Sequence, residues 1–486
     1  MPPPPSLTPA QLALQAERRA AKLAKKAAAQ AANGVGPVTP QQALEAERRK
    51  FLRREWLAVG GQNGTAESGR RVKIITWNLL AQTLIRRDLF PGSDCLKWTD
   101  RKPMLQAEMG HYASADVICL QECDRLDDLL SATPSHSHVR ASGPGKLHGI
   151  VILYRTTRFT VRSFRAIYLD DEELSPSAEA EGDGRRRRGG TRQTRNVGLV
   201  VALDDHESGG GIVVATTHLF WHPKFVYERV RQLIILTRAI KEFQKDNDCE
   251  SWPAVLAGDL NTSPSEAPYQ LLVSPQTPLA PSVLEHLELS RIVHNTVDKI
   301  GVVPPTPLPA HTPMNGGPTS TLDTESGASA LAAEIDGGEK DEKDDEDELP
   351  DSNEKSTANT RPPEAADGIL PVTELTEMMS ETVPGGAKSA YGLSPWATNG
   401  SETFGSRGGF GHLAPRDGKD EPAYTCFTPL FNLTLDYLFV LPSTKDVRVA
   451  VIGLLRPPRK DELGQGLPRK GISASDHLAV GCELAW

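Results

Sequence analysis

The chain contains no run of eighteen apolar residues, so no membrane-crossing helix is expected. It opens Met1-Pro2-Pro3-Pro4-Pro5, without a signal-peptide core, so secretion is not expected. Without secretion, the Asn-x-Ser/Thr triplets at Asn63, Asn399 and Asn432 carry no expectation of glycosylation. The six cysteines (Cys95, Cys119, Cys123, Cys249, Cys426, Cys482) form neither a Cys-x-x-Cys pair nor a Cys/His cluster with zinc spacing. Free thiols in a reducing compartment fit best, which makes the expected location cytoplasmic, with the nucleus as a second compartment. Hydrophobic residues are 38%, below the usual globular share, whereas Gly (41) and Pro (38) are plentiful. That combination describes an ordinary core diluted by segments that cannot fold.

The formal net charge of −9 would argue against a nucleic-acid partner only if it were evenly spread. It is not. Much of it lies in the block Glu334–Glu354, centred on Asp344-Asp345-Glu346-Asp347-Glu348, within a stretch (302–420) dominated by Pro, Ser, Thr and Gly. That stretch is expected to be a disordered insertion. Without it, the remaining body is close to neutral or basic.

Residues 1–71 form a basic, Ala-rich arm holding an imperfect repeat. Thr8-Pro9 leads to Ala16-Glu17-Arg18-Arg19, and Thr39-Pro40 leads to Ala46-Glu47-Arg48-Arg49. Each unit pairs a capping threonine with proline at the first helical position. A solvated, partly helical tail is the expectation, with contact to RNA as the competing role.

The body is expected at 72–300 and 422–486. Apolar runs Val72–Trp77, Asp116–Leu120, Gly149–Tyr154, Phe159–Leu169, Asn196–Leu203, Ile212–Thr217, Ala254–Gly258 and Leu435–Val440 have the length and composition of buried strands. Asp100–Ala113 and Lys224–Lys245 carry apolar residues at helical spacing. The basic residues of the second helix, Arg229, Arg231, Arg238, Lys241 and Lys245, are expected on a solvated face. Residues 170–195, with Arg185–Arg188, are expected to form a charged, unstructured loop.

One pattern recurs. Strands end in a polar residue able to do chemistry: Asn78, Glu122, His218, Asp259 with Asn261, Asp436, and Asp476-His477. Each has a bland alternative. Glu122 suits a helix N-terminus, His218 a satisfied core histidine, and Asp436 a surface strand. Together they supply oxygen ligands suited to Mg2+ or Mn2+, plus two histidines.

Trp77-Asn78-Leu79-Leu80-Ala81, Leu120-Gln121-Glu122, Thr217-His218-Leu219, Gly258-Asp259-Leu260-Asn261, Leu435-Asp436-Tyr437-Leu438-Phe439 and Ser475-Asp476-His477-Leu478 occur in the order found in the endonuclease/exonuclease/phosphatase superfamily. Lys97-Trp98 with Arg101, and Tyr424-Thr425-Cys426-Phe427-Thr428-Pro429, are similar to the deadenylase-like branch. The run Ile85–Pro91 resembles the fungal Ngl-type RNA exonucleases. The resemblance implies an α/β four-layer sandwich of two mixed sheets flanked by helices, with the site at one end. It implies Mg2+ (or Mn2+) at Glu122, with Asn78 and Asp476 beside it. Asp259 would orient or deprotonate the attacking water, and Asn261 would hold the water or a phosphate oxygen. His477, oriented by Asp436, would meet the scissile phosphate, and His218 would stabilise transition-state charge. Asn196, Trp221, Tyr424 and Phe427 would contact substrate, with core packing as the alternative for the aromatic residues.

The implied activity is 3′→5′ hydrolysis of single-stranded RNA ends to nucleoside 5′-monophosphates, in poly(A) shortening or ribosomal RNA processing. A nocturnin-like phosphatase on a small nucleotide and a non-catalytic RNA-binding scaffold are the alternatives. The leucine-rich repeats of the large deadenylase subunits have no counterpart in the 1–71 arm.

Overall fold

The computed structural model describes residues 40–59, 69–175, 184–207, 209–299, 357–392, 415–443, 445 and 447–486. The first helical repeat of the arm and the acidic block 334–354 lie outside the described residues.

Two mixed sheets pack face to face. The seven-stranded sheet runs, in order across it, Trp56–Ala58, Ala450–Leu455, Val480–Ala485, Arg71–Asn78, Val117–Cys123, Gly149–Arg155 and His136–Ala141. The six-stranded sheet runs Lys388–Ser389, Asp436–Val440, Ala254–Asp259, Gly210–His218, Val197–Asp205 and Phe159–Tyr168. Each sheet has a parallel pair at its middle: Arg71–Asn78 with Val117–Cys123 in one, Gly210–His218 with Ala254–Asp259 in the other. All other neighbours are antiparallel.

The strands read as continuous apolar runs because both of their faces are covered. Side chains alternate across a strand. Val72 and Ile74 point into the core between the sheets, with Val201, Val214, Val255 and Leu438 from the facing sheet. Ile75 and Trp77 point outward, onto Met104, Leu105, Met109 and Tyr112 of the helix Trp98–Tyr112. On the far side, Val213, Ala215 and Leu256 meet Val230, Leu233, Ile234 and Ile240 of the helix Val226–Asp246. Helix, sheet, sheet, helix is the expected four-layer order. Each fully buried Val, Leu or Ile contributes about 1.5–3 kcal/mol relative to its exposed state.

Four expectations are corrected. The body begins before residue 71: Trp56–Ala58 adds an edge strand, and Arg54 is buried with its Nη2 donating to Tyr112 Oη at 2.7 Å. The helix Pro40–Arg48 does form where the second threonine-proline unit placed it.

The described parts of 170–195 are packed rather than loose. Asp170 accepts from Thr194 N and Oγ1, both at 2.8 Å, and from Arg195 N at 2.6 Å. Glu228 accepts from Thr191 N and Oγ1 at 2.8 and 2.7 Å. Two helix arginines expected in solvent are interior. Arg231 donates to Leu169 O, Glu172 O and Arg188 O, and Arg229 donates to His222 O and Glu266 Oε1. Between them they satisfy the backbone carbonyls of Leu169, Glu172, Arg188 and His222.

The stretch 302–420 contains an ordered segment, 357–392. Its helix Val372–Thr382 buries Val372, Leu375 and Met379 against the helices of the six-stranded sheet. Lys388–Ser389 then extends that sheet beside Asp436–Val440. Tyr391 follows and reaches the other sheet, donating to Leu455 O at 2.7 Å and accepting from Gly481 N at 3.2 Å. The apolar positions of this helix were masked by the Pro/Ser/Gly-rich composition around it.

Candidate active site

The polar strand ends meet at one edge of the sandwich. The parallel pairs place them: Asn78 and Glu122 finish neighbouring strands of one sheet, and His218 stands opposite Asp259 in the other. Asp436 starts the antiparallel neighbour and is registered opposite Asp259. His477 lies just ahead of Val480–Ala485.

The two halves are joined by hydrogen bonds. Asn78 Nδ2 donates to Glu122 Oε1 at 2.9 Å and to Asp259 Oδ2 at 3.0 Å. Its Oδ1 accepts from Leu80 N at 2.9 Å, so the amide faces the two carboxylates with its nitrogen. Asn78 therefore holds the two carboxylates through its amide nitrogen. Glu122 Oε2 accepts from Ala81 N at 2.9 Å. Asp259 Oδ1 accepts from Asn261 N at 2.9 Å, and Asn261 Nδ2 donates to Leu219 O at 2.9 Å.

His218 is not a core histidine. Its Nε2 stands 3.6 Å from Asp259 Oδ2 and its Nδ1 3.9 Å from Glu122 Oε1, with the ring partly open to the cleft. His477 Nδ1 is 2.8 Å from Asp436 Oδ2, and its Nε2 is 3.7 Å from Asp259 Oδ2. Burial alone would lower the pKa of His477. The carboxylates of Asp436, Asp259 and Asp476 outweigh it and hold the imidazole well above the ordinary histidine value. Burial pushes the Asp476 carboxyl up to about 6, with Glu122 adding to the rise and His477 opposing it.

Three residues here have φ in the left-handed region without being glycine: Leu80 (57°), Glu122 (52°) and Asn261 (48°). Such backbone costs of order 1–3 kcal/mol where the side chain is bulky. At Glu122 and Asn261 the turn swings the side chain off the strand and into the cleft. At Gly258 (φ 147°) an added Cβ would stand 2.2 Å from Thr217 O, so the strand before Asp259 needs glycine.

A hard divalent cation fits the donors present. Glu122, Asp259, Asp436 and Asp476 supply carboxylate oxygens, and Asp436 Oδ1 is buried without a hydrogen-bond partner. Among the described residues, ligand atoms lie within 4.8 Å of one another in Asp259, Asp436 and His477, and in Cys426, Asp476 and His477. Burial pushes the Cys426 thiol up to about 12.

The cleft is lined by Glu122, Asn196, His218, Trp221, Asp259, Asn261 and His477. Asn196 Nδ2 donates to His218 O at 2.6 Å, and Lys146 Nζ donates to Asn196 Oδ1 at 3.1 Å. Tyr424 and Phe427, the other substrate contacts expected, are buried instead. Their rings pack edge to face at 4.9 Å within a small cluster including Leu463, Leu467 and Leu478. No ring face is left for a base, which decides for the core-packing alternative. The exposed aromatic of that region is Phe431, 46% exposed in the turn between Cys426–Phe427 and Asn432–Leu433. It follows Leu430 and precedes Asn432-Leu433, a mixed stretch in which only the fold separates it from a core residue.

Three residues that the sequence places inside the motifs, without a role of their own, support the site. Arg101 is fully buried and donates to Leu79 O and Leu80 O, both at 2.6 Å, and to Ala474 O at 2.7 Å. It ties the loop after Asn78 to the loop before His477. Burial brings its pKa down to about 10, still well above neutrality. Ser475 Oγ donates to Asn78 O at 2.7 Å and accepts from His477 N at 3.1 Å. Trp77 Nε1 donates to His477 O at 3.0 Å.

A two-sheet sandwich with paired carboxylates and histidines at one sheet edge defines a class of protein, and the comparisons agree with it. Residues 75–324 match the model of the Endonuclease/Exonuclease/phosphatase family. The chain belongs to that family. It is similar to Probable RNA exonuclease C9B6.11c of Schizosaccharomyces pombe, 28% identical over 501 residues, covering 98% of this chain and 88% of the relative. It is also similar to RNA exonuclease NGL2 of Saccharomyces cerevisiae, 35% identical over 298 residues, covering 56% of this chain and 54% of the relative. The second alignment thus spans about half of that relative's length. A crystal structure of ANGEL2, a 2′,3′-cyclic phosphatase, matches with 18% identity and a TM-score of 0.49, covering 89% of this chain and 99% of that one.

Proposed function

We propose that this chain is a divalent-cation-dependent phosphodiesterase that removes nucleotides from the 3′ ends of single-stranded RNA as nucleoside 5′-monophosphates. The observation that carries the proposal is Asp259 Oδ2, which has His218 Nε2 at 3.6 Å, His477 Nε2 at 3.7 Å and Asn78 Nδ2 at 3.0 Å around it. A carboxylate ringed by nitrogen donors is suited to hold a water in line with a phosphorus bound by the same donors. The relatives named RNA exonucleases supply the substrate class.

Glu122, with Asp476 nearby, would hold Mg2+ or Mn2+, which when bound supplies Lewis-acid polarisation of a phosphate oxygen. Asn78 fixes the Glu122 carboxylate for that purpose. Asp259 orients the attacking water and receives its proton as the new P–O bond forms; the bond to the 3′ oxygen of the preceding nucleotide breaks, and that oxygen takes a proton from solvent water to leave as the 3′-hydroxyl of the shortened RNA. Asn261, by its N–H to Oδ1, fixes the rotation of the Asp259 carboxyl. His477, carried as an imidazolium against Asp436, and His218 face the charge that accumulates on the phosphoryl oxygens. Trp221 and Phe431 present rings on which bases stack. No helix among the described residues is long and apolar enough to cross a membrane.

Incubation of the full chain with 5′-labelled A-rich and mixed-sequence RNA tests the proposal. Progressive shortening in Mg2+ that releases 5′-monophosphates, stops with a chelator and is lost in Glu122→Ala and Asp259→Ala is the expected result. Intact RNA, or shortening that survives Glu122→Ala, overturns it.

A further inference from the structure

We propose that Thr425 is a positioning residue for the Asp436–His477 pair, an inference that rests on the hydrolytic reading above. Thr425 is fully buried. A threonine hydroxyl has one proton to give and two lone pairs to receive. Both lone pairs are taken: Leu435 N donates to Oγ1 at 2.9 Å and Asp436 N at 3.0 Å. The single proton therefore goes to Asp436 Oδ2, 2.6 Å away. That length is typical of a hydroxyl donating to an ionised carboxylate.

Oδ2 is also the oxygen 2.8 Å from His477 Nδ1, while Oδ1 has no partner. The carboxyl is thus held at one oxygen by two donors. Turning it about its bond to Cβ would break both contacts. Oδ2 of the ionised carboxylate can only accept, so His477 presents N–H to it at Nδ1. Its Nε2 is then the atom left toward Asp259 and the cleft, at 3.7 Å. The hydroxyl so fixes the rotation of the carboxylate that aims the His477 ring, without touching substrate itself.

The backbone of Thr425 is anchored independently. Its N donates to Leu433 O at 2.8 Å, and its O accepts from Leu478 N at 2.7 Å. One residue therefore stands where the strand bearing Asp436 and the loop bearing His477 meet. Removing the hydroxyl leaves those two bonds in place, which makes the side chain testable by itself.

Four measurements on the full-length protein decide the point. Thr425→Val lowers kcat roughly 10- to 100-fold, the loss of one hydrogen bond to a charged group, with KM unchanged. Thr425→Ser restores most of that rate. In an Asp436→Asn background, Thr425→Val costs nothing further, because the group it acts through is already gone. Histidine-selective 15N NMR finds a hydrogen-bonded Nδ1 proton on His477 in the wild type and Thr425→Ser, and not in Thr425→Val. The NMR measurement uses no RNA, so a wild type that leaves RNA intact defeats the hydrolytic reading while the spectrum still judges Thr425. Thr425→Ala is the second hydroxyl-free variant should the valine variant fail to fold. A rise in KM at constant kcat, failure of serine to rescue, equal losses in both backgrounds, or an unchanged Nδ1 signal in the hydroxyl-free variants overturns the assignment.

Discussion

Asn78 Nδ2 donates to Asp259 Oδ2 across the join between the two sheets, at 3.0 Å. The same nitrogen holds Glu122 at 2.9 Å, so one amide sets the spacing of two carboxylates that would otherwise repel. Just beneath, Gln121 Nε2 donates to Thr76 Oγ1 at 3.0 Å and to Thr216 Oγ1 at 2.9 Å, again linking sheet to sheet. The site is thus as rigid as the sandwich on which it sits.

Replacing Asn78 with alanine leaves both carboxylates without their shared donor. Kcat on labelled RNA should fall by roughly 10- to 100-fold, as for loss of a charge-assisted hydrogen bond. Asn78→Asp should be slower still, because it adds a third carboxylate in place of the donor. Steady-state kinetics on the three proteins, with circular dichroism to confirm folding, check the order.

Glu108 predicts how stability depends on pH. It is buried in the helix Trp98–Tyr112, accepts from Tyr112 Oη at 2.8 Å through Oε1, and leaves Oε2 without a partner. Burial pushes its pKa up to about 7 from the model-peptide 4.5, against the opposing pull of Arg54 and the Tyr112 hydrogen bond. The folded protein therefore holds this proton more tightly than the unfolded chain does. The resulting stabilisation is complete below about pH 4.5 and is lost as pH rises through about 7. A shift of that size corresponds to about 3 kcal/mol. Glu108→Gln, which stays neutral, should remove this component. Urea unfolding at pH 5 and pH 8 should show the wild type weakening more than the variant over that interval.

The strand ends were legible in the sequence because each lies directly after an apolar run: Asn78, Glu122, His218 and Asp259 needed only the direction of the chain. The interior arginines were not. Arg229 and Arg231 occupy helix positions indistinguishable from a solvated face, and only the loops folded over them make them internal. Tyr424 and Phe427 were misplaced for a related reason. An aromatic residue beside a catalytic motif suits stacking and packing equally, and burial separates the two. The segment 357–392 was hidden by its flanks, since its buried positions, Val372, Leu375 and Met379, make one short helical stripe.

That segment supplies a stability test. Tyr391→Phe keeps the ring but leaves Leu455 O without the phenol's proton and Gly481 N without its oxygen. Leaving buried backbone groups unpaired costs about 1–3 kcal/mol. Urea unfolding should show that loss, while KM for RNA stays at the wild-type value. A large change in KM with unchanged stability would contradict a purely architectural role for the segment.

The two phenylalanines of the Cys426–Leu433 hairpin should separate substrate binding from packing. Phe427 is buried against Tyr424, whereas Phe431 is exposed in the turn, as are Leu430 before it and Leu433 two residues after it. The hairpin is rooted at the site: Cys426 bridges to His477, and Asp436 follows three residues after Leu433. A base stacked on an aromatic ring contributes about 1–3 kcal/mol, so Phe431→Ala should raise KM for single-stranded RNA roughly 5- to 150-fold. Its melting temperature should not move, because an exposed ring contributes little to folding. Phe427→Leu should do the reverse, lowering stability by about 1 kcal/mol through imperfect repacking while KM holds. Measuring both quantities on both variants gives four numbers, and only the crossed pattern is consistent with Phe431 as the ring that meets the RNA.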